Sequence, residues 1–518
     1  MQKREISVII VWYGFVSNIP DKKRFAITLE REGARFSDQN CPEGKIMAQI
    51  AKKTPFFTGS FFREATRYAL PIMLQNLLVS SLAMVDTLMV GQLGEVDVAA
   101  VGMAAQIAFL LNICVFGICS AGTVFISQFW GSGNQKGVSR TYGLMLVGCV
   151  LISGVFCGVI ALFPEQAIRL YTEKDIVAKA GAEYIRVACF SYVGVAVNLC
   201  FTNVLRAVGK PLLPLISSFL SVSTNVFFNW VLIFGELGFP ELGLVGAAWG
   251  SVIASVVSPV FTFLCSLVAK NELASHPGDI FRISRAFLWQ FIRVGAPVFF
   301  NEMFWALGMT GYNMIFGRMG TDDYNYNYSA LTIARTVEDI MYVMYIGLCN
   351  ACAVMVGRSV GSGETEQAKQ DAKRFLLLVP LVGFVLGMAV IALRGPILSL
   401  FDVADEVRRI AELLLIMYGF EISLRNIPYV CIVGIFRAGG DTTHGMVYDL
   451  GTIWLFALPI TAVLGLVFQL PFPLVYLIML LAEDILKSAL CLIHFFRMKW
   501  IRPVEEKSPQ PSPCELET

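Results

Sequence analysis

Charged side chains are scarce in this chain of 518 residues: Asp, Glu, Lys and Arg make up 15% of it, whereas 56% of its residues are hydrophobic. The mean hydropathy of +0.66 excludes an ordinary soluble globular protein. Apolar stretches of roughly 20 residues, enough to span a bilayer, recur from about Ala69 to Phe496. The composition therefore predicts an all-α protein that crosses the lipid bilayer many times.

Patterns that carry enzyme chemistry are also missing. There is no phosphate-binding loop ending in Gly-Lys-Ser or Gly-Lys-Thr, no Ser/His/Asp constellation and no metalloenzyme spacing. Only three histidines occur, His276, His444 and His494, and because they lie far apart in the chain no His-rich metal site is expected. Lys and Arg sit in short connectors rather than in a patch interleaved with aromatics, so no nucleic acid partner is expected. We predict a protein that is not an enzyme, uses no cofactor and is not driven directly by ATP.

The second half of the chain repeats the first. Three motifs return in the same order, 226 to 231 positions later: Val85-Asp-Thr-Leu-Met-Val-Gly-Gln-Leu-Gly94 as Gly311-Tyr-Asn-Met-Ile-Phe-Gly-Arg-Met-Gly320, Gly131-Ser-Gly133 as Gly361-Ser-Gly363, and the segment around Arg206 as the segment around Arg437. Such self-similarity indicates a duplicated half-protein. One difference between the copies concerns charge: Tyr312 stands in the position of Asp86. An acid in only one half of a duplicated apolar scaffold suits an ion-coupled device.

Hydropathy and turn residues predict twelve helices in two parallel six-helix bundles. In the first half they run near 69–91, 98–129, 141–163, 178–206, 211–235 and 243–269. In the second they run near 288–317, 325–357, 372–393, 408–437, 444–466 and 473–497. The predicted domains are an N-terminal extension over 1–60 (disordered, or a misassigned start), a first bundle over 61–270, a cytoplasmic linker over 271–287, a second bundle over 288–500 and a disordered tail over 501–518.

The distribution of positive charge predicts the orientation. One set of alternate connectors holds more than twice as many Lys and Arg residues as the other, and positively charged connectors stay in the cytoplasm. We therefore expect a protein of the cell (inner or plasma) membrane with both termini in the cytoplasm. Six helices in each half keep the halves in one orientation, which predicts repeats related by an axis along the membrane normal. We expect a monomer.

Asp86 lies about fifteen residues into an otherwise apolar span. A charge at a helix centre costs roughly 2.5–3.5 kcal/mol on insertion scales, so the acid needs a reason to be there. One interpretation is structural, a buried acid hydrogen-bonded to Ser, Thr or Asn on neighbouring helices. The other is a site for a proton or Na⁺, because burial raises the pKa of a carboxyl group and a bound cation neutralises it.

Partners for such a cation follow in the same half. Asn225 and Asn229 are one turn apart on one face of the fifth helix, and their amide oxygens suit a hard cation. If the ion is Na⁺, its predicted ligands are Asp86, Asn225 and Asn229. The alternative for the pair is interhelical hydrogen bonding. Ser251 on the sixth helix is a weaker candidate, because its small neighbours alone would explain close helix packing.

A second polar group lies at the start of the seventh helix. Glu302 aligns with Asn76 of the first helix, and Asn301 aligns with Gln75. Polar pairs at matching depth predict a shared central cavity for the substrate. Its expected apolar walls are Phe300, Phe304 and Trp305. A carboxylate among aromatics suits an organic cation, and the alternative is an interfacial Glu whose aromatic neighbours face lipid.

Further acids lie near or inside predicted spans of the second half. They are Glu421, Asp449, Glu483 and Asp484. Glu483 precedes Lys487 by four residues, the spacing of an ion pair within one helix. We interpret these acids as mainly structural.

The motifs together resemble the multidrug and toxic compound extrusion (MATE) family, within the multidrug/oligosaccharide-lipid/polysaccharide exporter superfamily, over about residues 62–500. The resemblance rests on Val85–Gly94, Asn203–Pro211, Asn225 to Gly235, Gly243–Ala248 and Phe436–Asp441. It implies two six-helix bundles around a central cleft that work by alternating access as cation antiporters. Carried over by residue, it implies that Asp86, Asn225, Asn229 and Ser251 form the coupling site.

The sequence departs from the family pattern at two places. Some members carry an acid at the position of Asn229, so the identity of the coupling ion stays open. Members that couple through the second half have acids on the seventh and tenth helices. Glu302 lies a few residues from the first of these, and Asn426 occupies the place of the second.

We therefore predict an antiporter that exports amphipathic, cationic drugs or metabolites in exchange for Na⁺ or H⁺. Cation binding at Asp86 would neutralise the acid, alter helix packing and lower the affinity for drug, since a ligand shifts an equilibrium only through its differential affinity for the two states. The alternative is a flippase for lipid-linked oligosaccharide or polysaccharide, which would want a larger and more basic cleft.

Overall fold

Twelve helices of membrane-spanning length account for most of the computed structural model, which describes residues 56–274, 277–280, 283–319, 326–401 and 403–504. The first half contains α1 (Gly59–Gly91), α2 (Glu95–Gly131), α3 (Gln135–Leu162), α4 in two segments (Asp175–Ala188 and Ser191–Ala207), α5 (Leu212–Phe234) and α6 (Gly243–Ala269). The second half contains α7 (Arg285–Arg318), α8 (Tyr326–Gly361), α9 (Thr365–Leu398), α10 (Asp405–Gly439), α11 (Thr442–Val467) and α12 (Phe472–Phe496). Short helical turns at Pro164–Arg169, Glu236–Gly238, Glu272–Ala274 and Pro277–Ile280 lie in the connectors.

The predicted segments correspond to these helices one by one, and the prediction of an all-α membrane protein is confirmed. The largest difference in the ends is at α1, which begins at Gly59 rather than near residue 69. A second difference is α4, predicted as one straight helix, whose two segments meet at an angle of 52°. Most of the predicted extension over 1–60 and of the predicted tail over 501–518 lies outside the described residues.

Ten spans satisfy both length and apolarity. Among the described residues nine helices are long and apolar enough to cross a membrane, and the two segments of α4 together make a tenth. The remaining two, α7 and α12, have 34 and 25 residues but carry charged side chains along their length. Glu302 of α7 and Glu483, Asp484 and Lys487 of α12 belong to the networks described below, whereas Arg285, Arg293 and Arg318 of α7 are exposed.

Proline shapes α10. Pro428 lies inside this helix and cannot donate the hydrogen bond to the carbonyl of Leu424. Ser488 of α12 donates its hydroxyl to that carbonyl instead, at 3.3 Å. The next turns, Val430–Phe436, are wound as a π-helix, as is common where a helix absorbs a local misfit. The hydroxyl of Ser488 thus attaches the interior of α10 to α12 at the carbonyl that Pro428 leaves unpaired.

The two halves pack through matching helices. In the unit Gly59–Thr518, α1 contacts α8 and α2 contacts α7, while α2 and α8 also contact each other. The 226-residue repeat makes α7 the copy of α1 and α8 the copy of α2. Exchanging the copies turns the α1–α8 contact into the α2–α7 contact and leaves the α2–α8 contact unchanged. Such an exchange is what two copies related by a two-fold axis produce.

Glycine permits the closest approach between the halves. A Cβ on Gly131, at the end of α2, would collide with the carbonyl oxygen of Arg358 on α8. A Cβ on Gly361, at the end of α8, would collide with the carbonyl oxygen of Gln128 on α2. The backbones therefore touch at the C-terminal ends of α2 and α8, and the repeated Gly-Ser-Gly motif has a structural reason in both copies.

Candidate functional site

The four residues predicted for the coupling site form one hydrogen-bonded chain across three helices. Asn229 donates its Nδ2 to Asp86 Oδ1 at 2.8 Å and to Asn225 Oδ1 at 2.9 Å. Asn225 in turn donates its Nδ2 to the Ser251 hydroxyl at 3.2 Å. The two amides are 3% and 1% exposed. The structure thus brings Asp86 of α1, the amide pair of α5 and Ser251 of α6 together.

Local sequence explains why these side chains meet. On α1 the flanking Met84 and Leu88 are 68% and 61% exposed, as expected for side chains that face lipid, while Asp86 between them turns toward α5. On α6 the neighbour of Asn229 is Gly250, where a Cβ would collide with the amide oxygen Oδ1 of Asn229. The absence of a side chain at Gly250 lets α5 and α6 approach closely enough to hold the amide in place.

The electrostatics of this site are incomplete in two respects. In the part of the chain that the structure describes, no Lys or Arg side chain pairs with Asp86. In addition, the Oδ1 atom of Asn229 is buried without a hydrogen-bond partner, although leaving a buried acceptor unpaired costs about 1–3 kcal/mol. The Asp86 carboxylate and the unpaired Asn229 oxygen are two oxygen acceptors that lack a cation. A proton or Na⁺ bound between them would supply it.

Tyr184 of α4 belongs to the same site and was missed by the sequence analysis. Its phenol interacts with the Ser251 side chain and lies near enough to Asp86 to feel its charge. It also packs against the small apolar cluster of Val90, Ile233 and Ala247. A single Tyr in a bent, amphipathic helix carries no distinguishing signal in sequence, and only the tertiary packing places it here.

The polar pair of α1 has a fixed partner in its own half. Arg206 of α4 donates to Gln75 Oε1 at 2.7 Å and to Asn76 Oδ1 at 3.4 Å. Gln75 also donates its Nε2 to the Ser218 hydroxyl at 2.8 Å. The predicted substrate residues Gln75 and Asn76 therefore tie α1 to α4 and α5.

The equivalent pair of α7 is also engaged. Glu302 forms an ion pair with Arg437 of α10, with 2.6 Å between Oε1 and NH1. Arg437 also donates to the Ser120 hydroxyl of α2 at 3.0 Å, so this contact joins the two halves. Asn301 donates to Asp449 Oδ2 at 3.0 Å. The carboxylate predicted to bind an organic cation is thus paired with a guanidinium, a pairing that the aligned Arg206 and Arg437 motifs could have suggested.

The predicted aromatic walls lie on the exposed side of α7. Phe300 and Phe304 are 44% and 39% exposed, and their ring centroids are 6.3 Å apart. Phe304 also meets Trp454 of α11 edge to face, at 6.3 Å between centroids. Trp305 packs instead against the hydrophobic core of the second half. The structure therefore separates Trp305 from the two Phe rings with which it was grouped.

The acids of the second half lie in a network that contains its own cation. Lys487 Nζ pairs with Asp449 Oδ1 at 2.8 Å and with Glu483 Oε1 at 2.7 Å, so the predicted pair at i, i+4 is confirmed. Tyr312, which replaces the acid of the first half, donates its hydroxyl to Glu483 Oε2 at 3.0 Å. At the position equivalent to Asp86, the second half therefore has Tyr312, and the nearby carboxylate is Glu483 of α12, which Lys487 already neutralises.

A second cation, Arg425, whose side chain is 29% exposed, completes the network. Arg425 lies 3.7 Å from Glu338 and close to Glu421 and Asp484, while Tyr476 donates its hydroxyl to Glu338 at 3.1 Å. A cavity of about 50 Å³ opens beside these groups. Asn426, the next residue on α10, is fully buried and neither amide atom has a partner. Charge compensation is consistent with the structural role predicted for these acids.

Two of the three histidines are not far apart in space, which corrects the expectation drawn from their spacing. The rings of His444 and His494 stack at 4.6 Å between centroids, and both bond to Asp441. Fifty residues of α11 and α12 separate the histidines in the chain, but these helices pack side by side and return to the same end. Sequence distance therefore says little about proximity in a helical bundle.

Comparisons with known proteins come from sequence and from structure. The family model described as MatE matches residues 71–231 and again 297–463. The chain is 24% identical to the Probable multidrug resistance protein NorM of Thermotoga maritima, over 85% of this chain and 93% of that protein. It is also 24% identical to the Multidrug and toxin extrusion protein 1 of Xenopus tropicalis, over 94% and 83% of the two chains.

Solved structures share the fold. The Vibrio cholerae MATE transporter VcmN in the bent form has a TM-score of 0.76 at 19% identity, covering 85% of this chain and 97% of its own. The eukaryotic MATE transporter AtDTX14 has a TM-score of 0.73 at 17% identity, covering 85% and 96%. The two matched segments of the family model begin 226 residues apart, which is the offset of the internal repeat found in the sequence.

Proposed function

The chain belongs to the MatE family, and from that premise we propose that it exports amphipathic, cationic compounds across the membrane in exchange for Na⁺ or H⁺ by alternating access. It is a multi-pass membrane transporter of the multidrug antiporter kind and not an enzyme. The observation that carries the coupling proposal is the environment of Asp86. This acid lies in an apolar helix, is held by the Asn229 amide at 2.8 Å, and has no Lys or Arg partner among the described residues.

The chemistry of the amide supplies a way to sense the ion. While Asp86 is charged, Asn229 donates its Nδ2 to it and leaves Oδ1 against Gly250. Rotation of the amide would turn Oδ1 toward Asp86 and Asn225. There it can accept a hydrogen bond from a protonated Asp86, or join the oxygens of Asp86 and Asn225 around Na⁺. Either event gives the unpaired oxygen a partner and breaks the donation to Asn225.

A change at Asn225 would pass to the helices that form this half. Asn225 holds Ser251 of α6, so a new amide orientation alters the contact between α5 and α6. In the proposed cycle the outward-facing protein binds the cation at Asp86, releases drug, rocks inward and discharges the cation. The drug then binds again while Asp86 is charged. Loss or gain of one desolvated charge is a sufficient source for the few kcal/mol that a large shift between states requires.

For the substrate we propose the region of Gln75, Asn76, Asn301, Glu302, Phe300 and Trp305. An organic cation that binds Glu302 must compete with Arg437, which occupies the carboxylate at 2.6 Å. Competition of this kind would link drug binding to the contact that Arg437 makes with Ser120 of the other half.

We further propose that the ends of α2 and α8 face the cytoplasm. Their connectors belong to the set richer in Lys and Arg, and such connectors remain on the cytoplasmic side. Contact between Gly131 and Arg358, and between Gly361 and Gln128, would close that side. The arrangement supports an outward-facing state, with both termini in the cytoplasm.

Proteoliposomes with imposed ion gradients test the proposal. We expect ethidium to accumulate against its gradient when an opposing Na⁺ or pH gradient is imposed, and we expect Asp86→Asn to abolish this accumulation. The amide is close in shape to the carboxylate, so the variant should still fold and insert. Glu95→Gln, an exposed acid at the start of α2, is the matched control and should transport normally.

Three outcomes separate the alternatives. Accumulation driven by Na⁺ alone or by pH alone identifies the ion. Undiminished gradient-driven accumulation by Asp86→Asn would reject the coupling site. Movement of lipid-linked oligosaccharide without any gradient-driven ethidium transport would instead support the flippase.

A further inference from the structure

The end of α12 and the start of α11 enclose a cluster of metal-ligand type that the transport cycle does not use. One carboxylate oxygen of Asp441, one ring nitrogen of His444 and one of His494 all lie within 4.8 Å of one another. We propose that these three residues form a binding site for a divalent transition metal ion, with Zn²⁺ as the expected ion.

The donor set has the chemistry of a zinc site with one open position. Two imidazoles and a carboxylate are ligands that Zn²⁺ binds at about 2.0–2.2 Å, with water in the fourth place. In the structure Asp441 Oδ1 lies 2.7 Å from His444 Nδ1, and Asp441 Oδ2 lies 2.9 Å from His494 Nε2. Tetrahedral ligands at such metal distances lie roughly 3.3 Å apart, so small side-chain movements would admit the ion. Borderline ligands of this kind also accept Co²⁺ and Ni²⁺.

The scaffold holds the ligands from rigid positions. Asp441 directly precedes α11, His444 lies in the first turn of that helix, and His494 lies in the last turn of α12. Thr442 fixes the same turn to α7 by donating to the carbonyl of Val294 at 2.8 Å. Three packed helices therefore position the cluster.

A partner beyond the ligands orients one imidazole. The Tyr448 hydroxyl lies 3.3 Å from Nδ1 of His494. With the metal on Nε2, the proton of this ring would lie on Nδ1 and be donated to that hydroxyl. Metal-binding histidines usually bond through their second nitrogen in this way. The proton of His444 would move to Nε2, on a side chain that is 41% exposed.

The same exposure provides an entry path, and one group competes for the site. Asp441 is fully buried, whereas His444 opens to the surface. Arg502 contacts Asp441 Oδ1 at 3.0 Å, but its side chain is 48% exposed and can turn into solvent. The bound ion would replace the Arg502 guanidinium as the cation that neutralises the Asp441 carboxylate.

Titration of the purified full-length protein, carrying no histidine tag, tests the proposal. We expect saturable binding of a single Co²⁺ per chain, seen as a visible absorption band that Zn²⁺ abolishes, and a melting temperature raised by Zn²⁺ because the ion binds the folded state. Binding should weaken as the pH falls, since protons compete with the ion for its ligands.

Four substitutions make the test specific. His444→Asn, at a partly exposed position that is tolerant of change, should weaken binding at least 100-fold. Tyr448→Phe should weaken it by roughly 10–100-fold through the lost orienting contact. Arg502→Gln should tighten it by removing the competing cation, an effect that a merely structural cluster would not produce. His276→Asn, at the third histidine of the sequence, should leave binding unchanged.

Two results would overturn the proposal. One is the absence of saturable Co²⁺ and Zn²⁺ binding by both the native chain and Arg502→Gln. The other is binding that survives His444→Asn with unchanged affinity. Neither result depends on transport, so the metal site and the antiport proposal stand or fall separately.

Discussion

At the scale of single residues, the two inward-facing acids of α1 and α7 differ in what neutralises them. Glu302 has Arg437 at 2.6 Å, so any further cation that binds this carboxylate must displace the guanidinium. Asp86 has only the Asn229 amide, which stabilises the charge less and can reverse its orientation. This difference, rather than the presence of an acid, makes Asp86 the better candidate for exchange with a proton or Na⁺.

The position of Asn229 gives a prediction for Gly250. In Gly250→Ala the new methyl group would collide with Asn229 Oδ1, so the amide must leave Asp86 or α6 must move. We expect an overpacking cost of about 1–3 kcal/mol in unfolding free energy and at least a tenfold loss of gradient-driven ethidium export.

The control for this variant is Gly154→Ala on α3, where a Cβ would have nothing within 4 Å. It should export normally and be slightly more stable, because Ala favours the helix over Gly. Thermal melting in detergent and transport in proteoliposomes check both variants. Normal export by Gly250→Ala would argue against a working role for the Asn229 amide.

At the scale of helices, an aligned Arg binds the polar pair of the first helix in each half, but the groups that it binds differ. In the first half Arg206 of α4 binds the polar pair of α1, and in the second Arg437 of α10 binds Glu302 of α7. The aligned arginines thus make the equivalent contact between helices in both copies. The second copy has exchanged an amide for a carboxylate, which turns a hydrogen bond into a buried ion pair.

Removing one partner of that ion pair should cost more than removing both. Arg437→Met or Glu302→Gln alone leaves an uncompensated buried group, and we expect each to cost roughly 3–5 kcal/mol of unfolding free energy. The double variant should cost less than either single variant, because it leaves no unpaired charge. The half-exposed pair Arg394–Glu412 is the control, with an expected contribution of about 0–1 kcal/mol. Additive losses at Glu302 and Arg437 would mean that the two side chains are not coupled.

At the scale of the whole molecule, transport by alternating access requires the halves to move against each other. The contacts of α1 with α8 and of α2 with α7 are the surfaces on which this movement depends. A built Cβ on Gly117 of α2 lies 3.5 Å from Cβ of Phe299 on α7, within the range that a disulfide bridges.

This geometry predicts a reversible block of transport. In a background whose thirteen native cysteines are replaced, Gly117→Cys together with Phe299→Cys should form a disulfide on oxidation and lose export. Reduction should restore export, and each single substitution should be insensitive to oxidant. Gel mobility after proteolysis between the halves reports the link. Full export by the oxidised, cross-linked protein would show that α2 and α7 stay together through the cycle.

Much of the molecule was predictable because hydropathy and turns are local properties. The span of α6 was predicted over 243–269, the range the structure gives, and the amide pair of Asn225 and Asn229 needed only helical spacing to be placed on one face. The bend of α4 was not predictable, since no single residue in Asp175–Ala207 encodes it. The pairing of Glu302 with Arg437, 135 residues away, was also missed.

The sequence by itself determined the duplicated all-helical membrane scaffold and the acid unique to its first half, because bilayer length and the cost of a buried charge restrict the choices residue by residue. Only the tertiary structure decided which acids have cations beside them, that Asn229 Oδ1 has no partner, and that His444 and His494 share Asp441. Those properties depend on distances between helices, and packing sets them through residues such as Gly250 that carry no chemistry of their own.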